Sequence, residues 1–218
     1  MESREKIQAV VFDLDGTLLN TLDDLTDSVN WALEKYGFPV RSLAEIRSFV
    51  GNGLRNLISK AVPTGADGPV VEELFEEFRE YYKAHCAIKT APYEGVMELL
   101  KELHTKGVKM AIVSNKIDSG VKELNAVHFA EYIEVAIGER EGVGRKPAPD
   151  SLNEAIALLG VEKDNTIYVG DSDVDILTAK NAEVGCVSVT WGFRDAEFLM
   201  QHGAECMIDQ PLELLTYL

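Results

Sequence analysis

The chain has 218 residues, 46% hydrophobic and 27% charged, an ordinary globular composition with enough length to bury a core in one or two domains. Its formal net charge of −16 argues against a nucleic acid or anionic-membrane partner. The same charge would repel phosphorylated metabolites unless a local cation reverses the field. No apolar stretch approaches the roughly 20 residues that span a bilayer. The charged start MESREKIQAVVF, cut off by Asp13, is not the pattern of a signal peptide. Cys86, Cys186 and Cys206 are odd in number and far apart, which reads as reduced thiols, so a cytoplasmic protein is expected.

In chain order, short β-branched runs alternate with helix patterns, the signature of an α/β fold. The strand candidates are AVVF (9–12), KMAIV (109–113), EVAI (134–137), TIYV (166–169), CVSV (186–189) and ECMI (205–208). They are mostly continuous apolar runs, as expected of a parallel sheet covered on both faces. Between the first and second, residues 17–89 carry only helix patterns. TLDDLTDSVNWALEKYG places Leu22, Leu25, Val29 and Leu33 on one stripe, and SLAEIRSFVG opens with the capping-box spacing Ser42 and Glu45. GLRNLISKAV and PVVEELFEEFREYYKAHC continue the module, with PTGADGP (63–69) its loosest loop. Later helices carry Val96, Leu99, Leu100 and Leu103, stopped by Gly107, and Leu152, Ile156 and Leu159, stopped by Gly160. The expected architecture is a Rossmann-like, doubly wound parallel-sheet core (1–16 and 90–218) with an inserted all-α helical cap (17–89).

Four short motifs lie at predicted strand ends. In DLDGT (13–17), Asp13 and Asp15 are two apart on extended chain and share a side, while Gly16 lets the backbone turn away. The competing reading is a solvated turn. In SNK (114–116), Ser114 and Asn115 suit phosphate oxygens, although both are also common N-caps. In RKPAPD (145–150), Lys146 precedes two prolines; an isolated surface lysine is the plainer reading. In GDSDVD (170–175), Asp171 and Asp175 are expected one helical turn apart on one face, with Asp173 pointing elsewhere; capping of a helix N-terminus competes. All four fall where open α/β sheets bind ligands. The first and fourth motif strands are therefore expected side by side.

In that order, the four motifs resemble the haloacid dehalogenase superfamily, in its phosphatase branch with a helical cap after the first motif. FVGNGLRNLISKA (49–61) and VTWGF (189–193) resemble its phosphoglycolate phosphatase group, and Asn20 stands where many relatives have Asp. The resemblance implies Asp13 as nucleophile, Asp15 as acid and then base, and Lys146 beside the transferring phosphoryl group. It implies Ser114 and Asn115 as phosphate ligands. It also implies Mg²⁺ held by Asp13, the backbone carbonyl of Asp15 and Asp171, with Asp175 behind them. The clustered acids by themselves call for a cation, since one like-charge pair at 4 Å costs about 4 kcal/mol at an effective dielectric of 20. Gly51, Asn52 and Gly53 form the candidate specificity loop, with Arg55 nearby and a plain inter-helix turn as the alternative.

The expected function is Mg²⁺-dependent hydrolysis of a small phosphorylated metabolite, best 2-phosphoglycolate. Pyrophosphate, a nucleotide or a phosphosugar mutase reaction on the same core are alternatives, as is an Asp-phosphorylated signalling switch. His85, His104, His128 and His202 fall in no motif, and nothing in the pattern fixes an oligomeric state.

Overall fold

The computed structural model describes residues 7–51 and 53–218; residues 1–6 of the expected core and Asn52 of the candidate loop lie outside the described residues. In chain order the elements are β1 (Ala9–Phe12), β2 (Leu19–Asn20), α1 (Leu22–Lys35), α2 (Leu43–Phe49), α3 (Leu54–Ala61), α4 (Gly68–His85), β3 (Ala91–Pro92), α5 (Val96–Thr105), β4 (Lys109–Ile117), α6 (Asp118–His128), β5 (Val135–Glu139), α7 (Asp150–Leu159), β6 (Thr166–Gly170), α8 (Asp173–Ala182), β7 (Gly185–Val189), α9 (Ala196–Gln201) and β8 (Met207–Ile208).

Two compact units emerge. One takes in the chain up to Leu19 together with Pro92–Leu218, and the other is Asn20–Ala91. The helical unit starts later than the expected residue 17 because Thr17, Leu18 and Leu19 are buried, the two leucines within the sheet's own apolar core.

The sheet of the first unit has the order β5-β4-β1-β6-β7-β8, and its strand pairs are parallel. Its covering on both faces follows from strand alternation. Val10 and Phe12 face a layer with α5 residues Val96, Leu99, Leu100 and Leu103. Ala9 and Val11 face the opposite layer with α7 residues Leu152, Ala155 and Ile156. Gly160 ends α7 in the left-handed region at φ 63°, a conformation glycine adopts without a Cβ penalty. From β1 the chain winds one way to β4 and β5, and the other way through β6 to β8. This reversal makes β1 the switch point, flanked by β4 and β6, with Ala9 opposite both Lys109 and Thr166.

The two-residue strands β2 and β3 were not expected, β2 falling inside the stretch 17–89 read as helical, and two expected strands have other bounds. β4 runs past Val113 to Ile117, with a register irregularity between those residues. ECMI contracts to Met207–Ile208 at the sheet edge.

The helical unit has its own apolar core. Leu25, Val29, Ala32 and Leu33 of α1, Leu57 and Ile58 of α3, and Leu74 and Phe78 of α4 are buried. Ser42 and Glu45 form the expected reciprocal capping box of α2. Asp24 of α1 is buried and accepts the backbone N–H groups of Ile88, Lys89 and Thr90 at 2.8–3.0 Å, plus the Thr90 hydroxyl at 2.9 Å. A carboxylate with that many donors holds the returning chain firmly.

Candidate active site

The site is built at the carboxyl ends of β1, β4 and β6. Asp13 directly follows β1, and its N–H donates to the Val169 carbonyl at 2.8 Å, which ties it to β6. Its carboxylate is buried, as is Lys146, which stands on the loop between β5 and α7. The Lys146 ammonium donates to Asp13 Oδ1 at 2.7 Å, Asp175 Oδ1 at 2.7 Å and the Tyr168 hydroxyl at 2.9 Å. Those bonds use all three ammonium hydrogens.

Asp171 and Asp175 reach the site differently from the sequence expectation. Asp171 is not on the helix; it lies just after β6, with Ser172 capping α8 and Asp175 in that helix's first turn. Asp175 turns back, so its Oδ2 accepts the Ser172 N–H at 3.1 Å and hydroxyl at 2.6 Å. Gly170 allows this, since a Cβ there would lie 2.4 Å from Asp175 Cβ. Asp173 is half-buried and takes no part in these bonds.

Asp171 is enclosed by three chain segments. It accepts the Phe193 N–H on Oδ2 at 2.6 Å and the Thr17 hydroxyl on Oδ1 at 3.5 Å. A Cβ on Gly16, where φ is +94°, would meet Asp171 Oδ2 at 2.4 Å. A Cβ on Gly192 would meet Asp171 Cβ at 2.3 Å and the Gly16 carbonyl at 2.4 Å. The Trp191 indole N–H donates to the Thr17 carbonyl at 3.1 Å and pins the DLDGT turn.

Asp13, Asp171 and Asp175 each offer a carboxylate oxygen within 4.8 Å of the others, and all three are buried. Burial pushes Asp13 well above the usual carboxylate range; Lys146 opposes the shift and the charges of Asp175 and Asp171 add to it. Burial and then Asp175 push Asp171 up to about 7. Burial disfavours the Lys146 charge, yet Asp13 and Asp175 outweigh it and keep the ammonium charged. One lysine thus faces three buried acids, an imbalance that a hard divalent cation with oxygen ligands resolves. The donor set fits such an ion. Asp175 is tied down by four bonds, from Lys146, Tyr168 and the Ser172 N–H and hydroxyl, so Asp13 and Asp171 are the better-placed ligands.

Asp15 is half-buried and sits apart from that trio. Its Oδ2 lies 3.5 Å from Ser114 Oγ, and its Oδ1 lies 3.4 Å from Lys116 Nζ. Asn115 points elsewhere: its amide nitrogen donates to the Lys146 carbonyl at 3.1 Å and ties the second motif to the third. Gly51 and Gly53 belong to the helical unit and adopt left-handed φ of 122° and 82°. Arg55 is committed within that unit to Glu72 at 2.5 Å and to the face of Phe75.

The sequence reading missed Tyr168, Lys116 and Gly192 as site residues. Tyr168 is the polar member of TIYV, and strand alternation puts it on the same side as Gly170 and opposite Val169. Its hydroxyl lies 3.0 Å from Asp175 Oδ1.

The haloacid dehalogenase-like hydrolase family pattern matches residues 10–189. The N-acetylmuramic acid 6-phosphate phosphatase of Pseudomonas aeruginosa is 30% identical over 217 residues, covering 99% of this chain and 96% of that protein. The phosphoglycolate phosphatase of Neisseria meningitidis is 34% identical over 208 residues, covering 92% and 87% respectively. Among solved structures, a Lactobacillus delbrueckii subsp. bulgaricus protein provisionally described as a phosphoglycolate phosphatase superimposes with a TM-score of 0.91 at 37% identity, covering 96% of this chain and 97% of that one.

Proposed function

The chain belongs to the haloacid dehalogenase-like hydrolases, and from that membership we propose that it hydrolyses small phosphate monoesters, with 2-phosphoglycolate the favoured substrate and Mg²⁺ the cofactor. The observation that carries this reading is the buried group of Asp13, Lys146, Asp175 and Asp171 at the carboxyl ends of adjacent parallel strands.

Asp13 is the nucleophile. Its oxygen bonds to phosphorus as the ester oxygen leaves, giving an aspartyl-phosphate. Asp15 donates its proton to that leaving oxygen, then removes a proton from the water that attacks the acyl phosphate. Lys146, held against Asp13, keeps positive charge beside the phosphoryl oxygens, and Ser114 adds a hydroxyl donor. Asn115 is assigned to positioning Lys146 through its bond to the lysine's carbonyl. Asp13, Asp171 and the backbone carbonyl of Asp15, with Asp175 supporting them, would hold Mg²⁺, which would supply further positive charge against the phosphoryl group. The helical unit is assigned the choice of substrate, with Gly51, Asn52 and Gly53 its candidate loop. The three free cysteines accord with work in the cytoplasm. Among the described residues no helix is long and apolar enough to cross a membrane.

The Pseudomonas aeruginosa relative favours a second reading, in which a 6-phosphorylated amino sugar acid is the substrate. The test is phosphate release from 2-phosphoglycolate, N-acetylmuramic acid 6-phosphate, other sugar phosphates, nucleoside monophosphates and pyrophosphate, each with Mg²⁺ and with EDTA. Metal-dependent release led by 2-phosphoglycolate supports the first reading, and a lead for the amino sugar supports the second. Absence of release from every compound overturns both.

A further inference from the structure

The two lysines of the core site have different neighbours. Lys146 is bound to Asp13 and Asp175, on the side of the phosphoryl group. Lys116 lies 3.4 Å from Asp15, the residue assigned to the leaving oxygen, and its side chain is only 9% exposed. Three features fix that placement. Ser114 and Lys116 are two apart on β4, so both point toward Asp15, whereas Asn115 points to Lys146. The Lys116 N–H donates to Ser114 Oγ at 3.1 Å. On the β5 side, Gly138 lets the two backbones approach closely: a Cβ there would lie 2.5 Å from the Lys116 carbonyl and 2.5 Å from Asp118 Cα. The Gly138 N–H also donates to Asp118 Oδ1 at 3.0 Å.

Resting on the phosphatase reading, we infer that Lys116 is a specificity-determining residue, whose ammonium receives a carboxylate carried by the leaving alcohol close to the ester oxygen. A buried ammonium beside the proton donor adds little for a neutral alcohol, since Asp15 needs no second cation to protonate it. It matters for an alcohol bearing its own negative charge, which a chain of net charge −16 otherwise repels. The substrate class is therefore the phosphate ester of a short 2-hydroxy acid. In 2-phosphoglycolate one methylene separates the ester oxygen from the carboxylate. In N-acetylmuramic acid 6-phosphate the carboxylate is on a side arm across the sugar ring, beyond the reach of a cation held this close to Asp15.

The test compares 2-phosphoglycolate with 2-hydroxyethyl phosphate, which has nearly the same shape and no carboxylate. For the unmodified protein with Mg²⁺, kcat/KM is expected to favour 2-phosphoglycolate at least tenfold. Lys116→Gln should reduce that ratio on the order of 10- to 100-fold, the range for losing a charge-assisted hydrogen bond, chiefly through KM for the acidic ester. Any loss common to both esters, from a disturbed Asp15, cancels in the ratio. Lys116→Arg should restore most of the selectivity. Should Lys116→Gln fail to fold, the ratio for the unmodified protein still decides, because parity between the two esters overturns the inference. An unchanged ratio in a folded Lys116→Gln overturns it too. In both of those cases metal-dependent hydrolysis stands, so the phosphatase reading survives. Absence of hydrolysis of both esters by the unmodified protein overturns the inference, and release from the wider panel then decides the phosphatase reading separately.

Discussion

Replacing Lys146 by Met keeps an unbranched side chain, one atom shorter, and removes its charge. Three bonds disappear, to Asp13, Asp175 and Tyr168, at 2.7, 2.7 and 2.9 Å. The partners are nearly inaccessible to water, with Asp13 and Asp175 side chains 9% and 2% exposed. Breaking one side of a buried pair costs about 3–5 kcal/mol, because the remaining charge is left uncompensated. For a chain of this length that corresponds to a fall in melting temperature of about 6–20 °C in EDTA at pH 8. The deficit should shrink at low pH. Burial already holds Asp13 and Asp171 above their unfolded values, and without Lys146 the native state binds protons still more tightly. Stability then falls as pH rises from the unfolded carboxylate value of about 4 through the raised native value. Melting followed by circular dichroism at pH 5 and pH 8 measures both effects. A variant that melts within 2 °C of the parent at pH 8, or shows the same deficit at both pH values, refutes the reasoning.

Further predictions concern the metal, the packing around Asp171 and the helical unit. Mg²⁺ should raise the melting temperature more at pH 8 than at pH 5, because at the lower pH a proton competes for Asp171, whose value is about 7; equal shifts in a thermal titration contradict this. Gly192→Ala forces a Cβ against Asp171 Cβ and the Gly16 carbonyl, at 2.3 and 2.4 Å, neither at the end of a flexible side chain. Overpacking of that kind costs about 1–3 kcal/mol, so a lower melting point and at least tenfold weaker Mg²⁺-dependent turnover are expected; a fully active variant counts against the packing argument. Asp24→Asn turns an amide group toward the N–H groups of residues 88–90. It should destabilise the helical unit by about 1–3 kcal/mol, read as faster hydrogen exchange at those amides. Unchanged exchange removes the role given to Asp24.

Much of the core was legible because a parallel sheet writes itself in continuous apolar runs, as AVVF and TIYV do. Less visible was α6, whose buried face is only Val121, Leu124 and Asn125 and whose first turn contains Gly120. The edge strand β8 was overestimated because Cys206 extends the apolar run one residue ahead of the two that pair. In the site, acids and glycines in sequence clusters were readable from spacing, since side chains two apart on a strand share a side. Tyr168 was not, because within an apolar run its ring looks like core and only the three-dimensional meeting with Lys146 gives its hydroxyl a task. Lys116 carried no signal beyond following Ser114 by two; what singles it out is the distance to Asp15, a residue 101 positions away in sequence. The assignment of Asp171 and Asp175 to one helical face failed because Ser172 caps the helix between them.

In the proposed reaction Asp13 carries the phosphoryl group during turnover. Asp15→Asn should block hydrolysis of the acyl phosphate, whereas p-nitrophenyl phosphate, with a leaving group that needs no proton, should still phosphorylate Asp13. The measurement is the mass of Asp15→Asn quenched in acid after mixing with that ester and Mg²⁺, followed by mapping of the modified peptide. The added mass of one phosphoryl group is expected on the peptide containing residue 13, and none in Asp13→Asn/Asp15→Asn. An adduct that persists without Asp13, or a parent enzyme that turns over while Asp15→Asn never acquires one, would contradict that role for Asp13.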